Sequence, residues 1–162
     1  MADTKNIFIS HVHEDDDLLP KLKDLIGRAG MTVRDGSINS DKPNEATSEE
    51  YIKCEILKPR IDWASTLVVL ITKGTADSKW VNWEIECAVK QDKNVVGVYA
   101  PDASDADMPD ALRECGDAAI VGWKGQDIVE AINGDLQGDN AWQDPQTGEP
   151  KGRQWPLKRV CQ

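Results

Sequence analysis

This sequence of 162 residues has fewer positive than negative side chains and no long apolar run. Its 19 Lys and Arg stand against 29 Asp and Glu, and the formal net charge of -10 repels nucleic-acid phosphates and anionic membrane surfaces. No segment approaches the roughly 18 apolar residues of a membrane span, and the segment from Met1 to Lys5 lacks the apolar stretch of a secretory signal. We therefore expect a cytoplasmic protein that binds neither nucleic acid nor membranes.

Histidine is scarce and the cysteines are widely spaced, which limits the metal chemistry that this chain can support. The four cysteines form no C-x-x-C pair, which predicts reduced packing residues: Cys54, Cys87, Cys115 and Cys161. The only two histidines are His11 and His13, and Asp15 follows them. This H-x-H-x-D order is similar to the start of the metal site in β-lactamase-type hydrolases, but the further histidine ligands of such a site are missing. We expect no metal site.

Short apolar runs alternate with amphipathic segments along most of the chain. Strands are predicted over residues 6–10, 31–34, 66–72, 94–99 and 118–121. Helices are predicted from the acidic cluster 14–17 to Gly27 or Gly30, over 48–61, from Ser78 onward, over 110–114 and over 126–132. The acidic cluster is expected to supply an N-cap and first-turn charges, and Ser78 can cap the helix that it precedes. This alternation favours right-handed crossovers between parallel strands, with helices on both faces. We predict an α/β protein with a flavodoxin-like five-stranded parallel sheet.

The length of the chain is typical of one domain with a sizeable core. The alternating pattern ends near residue 133, so we predict a single domain over residues 1–133. The extension over residues 134–162 is polar and rich in turn residues, although Trp142 and Trp155 are unusual for a disordered segment. We expect this extension either to dock on the domain or to trail from it.

Polar residues that follow the predicted strands are the candidates for a functional site. The loops after parallel strands share one edge of the sheet, and this edge would bring together Ser10, His11, His13, Asp35 and the start of the helix after Ser78. On that helix Trp80 and Glu84 are four residues apart, so both side chains can address one ligand. Glu84 is therefore the residue that we predict to carry out the chemistry of the site. A phospho-receiver is excluded, since its chemistry needs an Asp where this third strand ends in Thr72.

Several of these positions together resemble a Toll/interleukin-1 receptor (TIR) domain. They are Phe8-Ile9-Ser10 at the end of the first strand, the long loop after the second strand, and Trp80-Val81-Asn82-Trp83-Glu84 at the start of a helix. Within that superfamily, the segments 10–16 and 79–85 are most similar to the TIR-like proteins of the bacterial Thoeris antiphage system. The similarity covers roughly residues 6–132, which implies that the flavodoxin-like sheet is TIR-like.

The resemblance implies an enzyme that consumes NAD+ as a substrate, with no bound cofactor, and cleaves the bond between nicotinamide and ribose. Glu84 matches the catalytic glutamate of the family, and Trp80 matches an aromatic residue that either stacks on a ring of NAD+ or packs on the sheet. Trp83 would close the pocket or be structural. His11 and His13 lie where other TIR enzymes carry an aromatic residue and an arginine, so phosphate or ribose contacts would fall to imidazole.

Three further expectations concern Asp35, the product and the partners. Asp35 would either contact a ribose or start a turn. The resemblance implies an ADP-ribose-derived signal, which is either a cyclic ADP-ribose isomer or a conjugate with an acceptor such as histidine, and a separate effector that senses it. TIR enzymes commonly self-associate to complete the site. The alternative is a non-catalytic TIR adaptor that assembles through protein–protein contacts.

Overall fold

The computed structural model describes residues 3–11, 17–35, 62–73, 75–91, 93–101, 103–104, 107–113 and 118–134. The strands are β1 (Asp3–Ser10), β2 (Met31–Asp35), β3 (Thr66–Ile71), β4 (Asn94–Tyr99) and β5 (Ala119–Val121). The helices are α1 (Leu18–Arg28), α2 (Lys79–Lys90), α3 (Asp110–Arg113) and α4 (Gly125–Ile132), and a short 3-10 helix (Thr75–Asp77) precedes α2. Within these ranges, no helix has the length and apolar character needed to cross a membrane.

The five strands form one parallel sheet in the order β2-β1-β3-β4-β5. This is the flavodoxin-like order: β2 lies on one side of β1, and β3, β4 and β5 follow on the other side. The predicted fold class is therefore confirmed. Every residue of β3 is buried, because neighbouring strands and helices cover it on all sides, as the continuous apolar run from Thr66 to Ile71 predicts.

Helices cover both faces of this sheet, as right-handed crossovers require. Helices α1 and α4 contact each other on one face, with α1 beside β2 and α4 beside β4 and β5. Helix α2 packs over β1, β3 and β4 and contacts α3 on the other face. The core between these layers is aliphatic, and its largest fully buried side chains include Phe8 and Tyr99.

A side chain would be strained at Gly30 and would not fit at Gly125. Gly30 follows α1 with a φ of 98°, the left-handed conformation that favours glycine, and it ends the helix as one of the two predicted glycines. Gly125 begins α4 where this helix crosses α1. A Cβ atom at Gly125 would lie 2.6 Å from the carbonyl oxygen of Leu25 and 3.1 Å from Cβ of Ala29. The two helices therefore approach closely at this point.

The acidic cluster supplies the N-cap residue of α1 as predicted, but the first turn contains no acidic residue, contrary to the prediction. Several other predictions concern residues outside the described part of the chain. Asp17 occupies the N-cap position of α1, but its side chain makes no capping hydrogen bond, because its backbone already adopts the helical conformation. The predicted helix over residues 48–61 lies outside the described residues, and so does the predicted extension over residues 134–162 apart from Gly134. The division into a domain and an extension stays a prediction.

Candidate active site

The side chains of Ser10 and Glu84 meet at the edge of the sheet where the strands end. Ser10 is the last residue of β1, and its hydroxyl donates a hydrogen bond of 2.5 Å to Oε1 of Glu84, which is 74 positions away in the sequence. Ser10 is 0% exposed and Glu84 is 2% exposed. A carboxyl group removed from water is costly unless hydrogen bonds replace its hydration, and the serine hydroxyl supplies one of them.

The start of helix α2 fixes the position of Glu84. Ser78 is the N-cap, and its hydroxyl accepts a hydrogen bond of 3.1 Å from the backbone N–H of Val81, as the sequence predicts. Glu84 lies in the second turn, one turn after Val81 and one turn before Ala88, both of which are buried. The apolar face that packs α2 on the sheet therefore also directs the Glu84 side chain inward.

His11 follows directly after β1 and is also buried, with 4% of its surface exposed. Its Nδ1 lies 3.2 Å from the carbonyl oxygen of Ile9. In the tautomer that carries the proton on Nδ1, the ring donates to this carbonyl, which fixes the orientation of the imidazole. The histidine is thus held at the same edge as Ser10, its neighbour in the sequence.

A pair of threonines organises the turn between β3 and α2, and the sequence reasoning missed it. The Thr75 hydroxyl accepts from the backbone N–H of Thr72 at 2.9 Å and donates to the carbonyl oxygen of Leu70 at 3.3 Å. The two hydroxyl oxygens are 3.0 Å apart, so the Thr72 hydroxyl donates when that of Thr75 serves Leu70. The available signal was the T-x-x-T spacing directly after a strand, since hydroxyl side chains close turns of this kind.

Asn82 was also missed, and it connects α2 to α3. Its Nδ2 donates to the backbone oxygen of Ser78 at 2.9 Å, and its Oδ1 accepts from the backbone N–H of Ala111 at 2.9 Å. The second bond satisfies one of the N–H groups that the start of α3 leaves without a partner in its own helix. Asn82 therefore holds α3 against the helix that carries Glu84.

The other predicted site residues occupy different positions. Trp83 is half-buried and packs against the core. Trp80 lies in the first turn of α2 and Asp35 ends β2, but their side chains are not among the described ones, and His13 lies outside the described residues. The backbone of Asp35 pairs with Ile7, which lies three residues before Ser10. Asp35 is therefore about 10 Å from the level of Ser10 along the strand direction, toward the amino edge of the sheet.

Metal ligands do not cluster in the described part of the chain. Within that part, no group of three or more His, Cys, Asp and Glu residues is close enough to hold an ion. The chemistry that the described site can offer is that of a buried carboxyl group beside a hydroxyl and an imidazole. These groups can accept hydrogen bonds, transfer protons or stabilise nearby positive charge.

The strand order defines a flavodoxin-like α/β protein, with a buried glutamate on the helix that follows its central strand. The family model described as "Thoeris protein ThsB, TIR-like domain" matches residues 8–105, more than half of the chain. The chain belongs to this family of TIR-like domains from Thoeris antiphage defence. The matched residues include Ser10, His11 and Glu84.

Comparison with solved structures finds a similar chain. It belongs to "Structure of the activated Roq1 resistosome directly recognizing the pathogen effector XopQ (TIR domains)". The similarity covers 77% of this chain and 67% of that chain, with 19% sequence identity and a TM-score of 0.40. No curated protein sequence matches this chain.

Proposed function

We propose that this protein cleaves the bond between nicotinamide and ribose in NAD+, with Glu84 as the catalytic residue. One observation carries the proposal: Glu84 is 2% exposed and accepts a hydrogen bond from Ser10 at the carboxyl edge of the sheet. This is the edge at which flavodoxin-like proteins bind their ligands. Membership of the ThsB TIR-like family supports the same assignment.

The proposed reaction needs a negative charge beside the ribose. When the bond between C1′ and the pyridinium nitrogen breaks, its electron pair leaves with nicotinamide, and the positive charge passes to the ribose as an oxocarbenium ion. A carboxylate close to the ribose stabilises this developing charge. The incoming oxygen or nitrogen then forms the new bond to C1′ and loses its proton. Ser10 fixes the rotation of the Glu84 carboxylate through its bond to Oε1.

The remaining predicted residues would bind the rest of the dinucleotide. Trp80 is the proposed stacking platform for a ring of NAD+, and half-buried Trp83 would support the wall of the pocket. His11 and His13 would contact phosphate or ribose oxygens. Asp35 would reach a ribose only where the ligand extends from Ser10 toward the level of Ile7, since β2 ends opposite Ile7.

The product and the partners extend the proposal to signalling. An ADP-ribose-derived molecule, either cyclised or joined to an acceptor such as histidine, would leave the enzyme and activate a separate effector protein. Self-association would complete or stabilise the site, and the protein would act in the cytoplasm. Mass spectrometry of the reaction mixture identifies the product, since a conjugate is heavier than a cyclised product by the mass of the acceptor.

Nicotinamide release by the purified chain tests the proposal. The assay compares wild type with Glu84→Gln, which keeps the shape and removes the charge, and with Glu86→Gln as a matched control. Glu86 is an exposed glutamate on the same helix, two residues further on. We expect Glu84→Gln to lower release about a hundredfold or more and Glu86→Gln to match wild type.

The rival function predicts a different result. An adaptor would release no nicotinamide at high protein concentration, with infected-cell extract added, and Glu84→Gln would then equal wild type. Equal and silent proteins under those conditions would refute the enzymatic proposal and favour assembly through protein–protein contacts.

A further inference from the structure

A cleft lies at the opposite edge of the sheet from Glu84. It has a volume of about 440 Å³ and lies beside the first residues of β3 and β4 and the middle of β1. Its lining residues come from three separate segments: Lys5, Asn6, Asp62, Trp63, Ala64, Ser65 and Lys93. Small-molecule sites in proteins have volumes from about 300 Å³ upward.

An indole forms part of the cleft surface. Trp63 is 41% exposed, and among the described residues it is the only exposed large apolar side chain. An exposed indole that lines a cleft offers a flat surface on which an aromatic ring can stack, with part of that ring removed from water. The indole therefore selects for a ligand that contains a planar ring.

Two lysines give the cleft its positive charge in a chain whose formal net charge is -10. Lys5 and Lys93 are half-buried, and together they outnumber the one lining carboxylate, Asp62. Nζ of Lys93 donates to the backbone oxygen of Asp62 at 3.1 Å, which holds this ammonium group next to Trp63. Local positive charge on an acidic protein concentrates anions at that place.

We propose that this cleft, here called the amino-edge cleft, binds a small ligand that joins an aromatic ring to a phosphate group, such as a nucleotide. Trp63 stacks on the ring, and Lys5 and Lys93 bind the phosphate. The ligand does not reach Glu84, because Ser10 lies four positions after Asn6 in β1, about 13 Å along the strand. The cleft is a second site, and its existence does not depend on NAD+ cleavage.

Nuclear magnetic resonance of the full chain tests this proposal in the Glu84→Gln background, so that no ligand is consumed. The indole N–H signal of Trp63 is assigned from its loss in Trp63→Ala. Adenosine monophosphate is then titrated beside adenosine, which lacks the charge, and inorganic phosphate, which lacks the ring. We expect saturable movement of the Trp63 signal with adenosine monophosphate, at concentrations about tenfold or more below those needed for either part.

Variants of Lys93 then test the charge. Lys93→Gln should weaken the titration about tenfold, since it removes one charged hydrogen-bond donor, whereas Lys93→Arg should retain binding. Lys124→Gln, at an exposed lysine away from the cleft, is the matched control and should leave the titration unchanged. A Trp63 signal that does not move, that moves equally with adenosine, or that is insensitive to Lys93→Gln would overturn the proposal.

Discussion

The two edges of the sheet differ in burial, in charge and in how their polar groups are satisfied. At the carboxyl edge, Ser10, His11 and Glu84 are almost completely buried, and the serine hydroxyl bonds directly to the carboxyl group. At the amino edge, Trp63 is exposed and Lys93 bonds to a backbone oxygen. The carboxyl edge resembles a chemical site with a fixed geometry, and the amino edge resembles a binding surface.

This difference has a physical basis in the parallel sheet. The carboxyl edge receives the turn from β3 into α2, and hydroxyl side chains fix this turn in place: Ser78 caps the helix and Thr75 closes the loop. The amino edge receives the segment before β3, where Ser65 bonds to the backbone oxygen of Asn6 at the surface. A rigid, buried shell suits a group that must stabilise a transition state, because preorganised charges need no rearrangement during the reaction.

Removing one carboxylate at each edge should produce the largest difference in activity between the two edges. Glu84→Gln should lower nicotinamide release about a hundredfold or more, because the positive charge that develops on the ribose loses its nearest counter-charge. Asp62→Asn, at an exposed aspartate that lines the amino-edge cleft, should leave the rate within about twofold of wild type. The initial rates of nicotinamide release measure both effects, and a large loss in Asp62→Asn would contradict the separation of the edges.

Removing one serine hydroxyl at each edge tests whether hydroxyl groups at the two edges differ in their effect on catalysis. Ser10→Ala should lower kcat about tenfold with a smaller change in KM, because the Glu84 carboxyl group loses the donor that fixes its rotation. Ser65→Ala removes an exposed hydroxyl whose bond to Asn6 is 3.2 Å long, and it should not change either constant. If Ser10→Ala keeps the kcat of wild type, the serine has only a structural role.

The N-cap of α2 has an effect on stability. Ser78→Ala removes the acceptor for the N–H of Val81, and this should lower the free energy of unfolding by about 1 kcal/mol. Ser78→Asp keeps an acceptor at this position and should restore most of the loss. Denaturant unfolding measures the free energies of unfolding of both variants, and an unchanged m-value shows that they can be compared with wild type. Equal stability of Ser78→Ala and wild type would show that the start of α2 does not depend on this cap.

The smallest expected effect concerns charge at the amino edge. Lys93→Gln should change nicotinamide release by less than about twofold, because β1 separates the cleft from Glu84 by about 13 Å and solvent ions screen exposed charges over that distance. Rates at low and at physiological salt measure this effect. A strong decrease confined to low salt would indicate that the cleft attracts the substrate toward the enzyme.

Much of the fold follows from local patterns in the sequence. The strand over residues 94–99 was predicted with the observed bounds, and the run from Thr66 to Thr72 gives the central strand apart from its last residue. Both are continuous apolar segments, which is the pattern of strands that are buried on two faces. The cap at Ser78 was also predicted, because serine before an amphipathic segment is a local signal.

Contacts between distant segments were not predictable in the same way. Ser10 and Glu84 could be placed at one edge from the strand order, but the hydrogen bond between them depends on how α2 packs over β1. The bond from Asn82 to the N–H of Ala111 likewise connects two helices across 29 positions. The amino-edge cleft combines three segments of the chain, and no single sequence window contains its lining residues.

The most direct test of the central claim separates binding from chemistry at Glu84. The dissociation constant of NAD+ and the single-turnover rate of nicotinamide release are measured on wild type and on Glu84→Gln, at a protein concentration that allows self-association. For Glu84→Gln we predict a dissociation constant within about fivefold of wild type and a turnover rate at least about a hundredfold lower. A Glu84→Gln protein that binds NAD+ and releases nicotinamide at the rate of wild type would contradict this prediction.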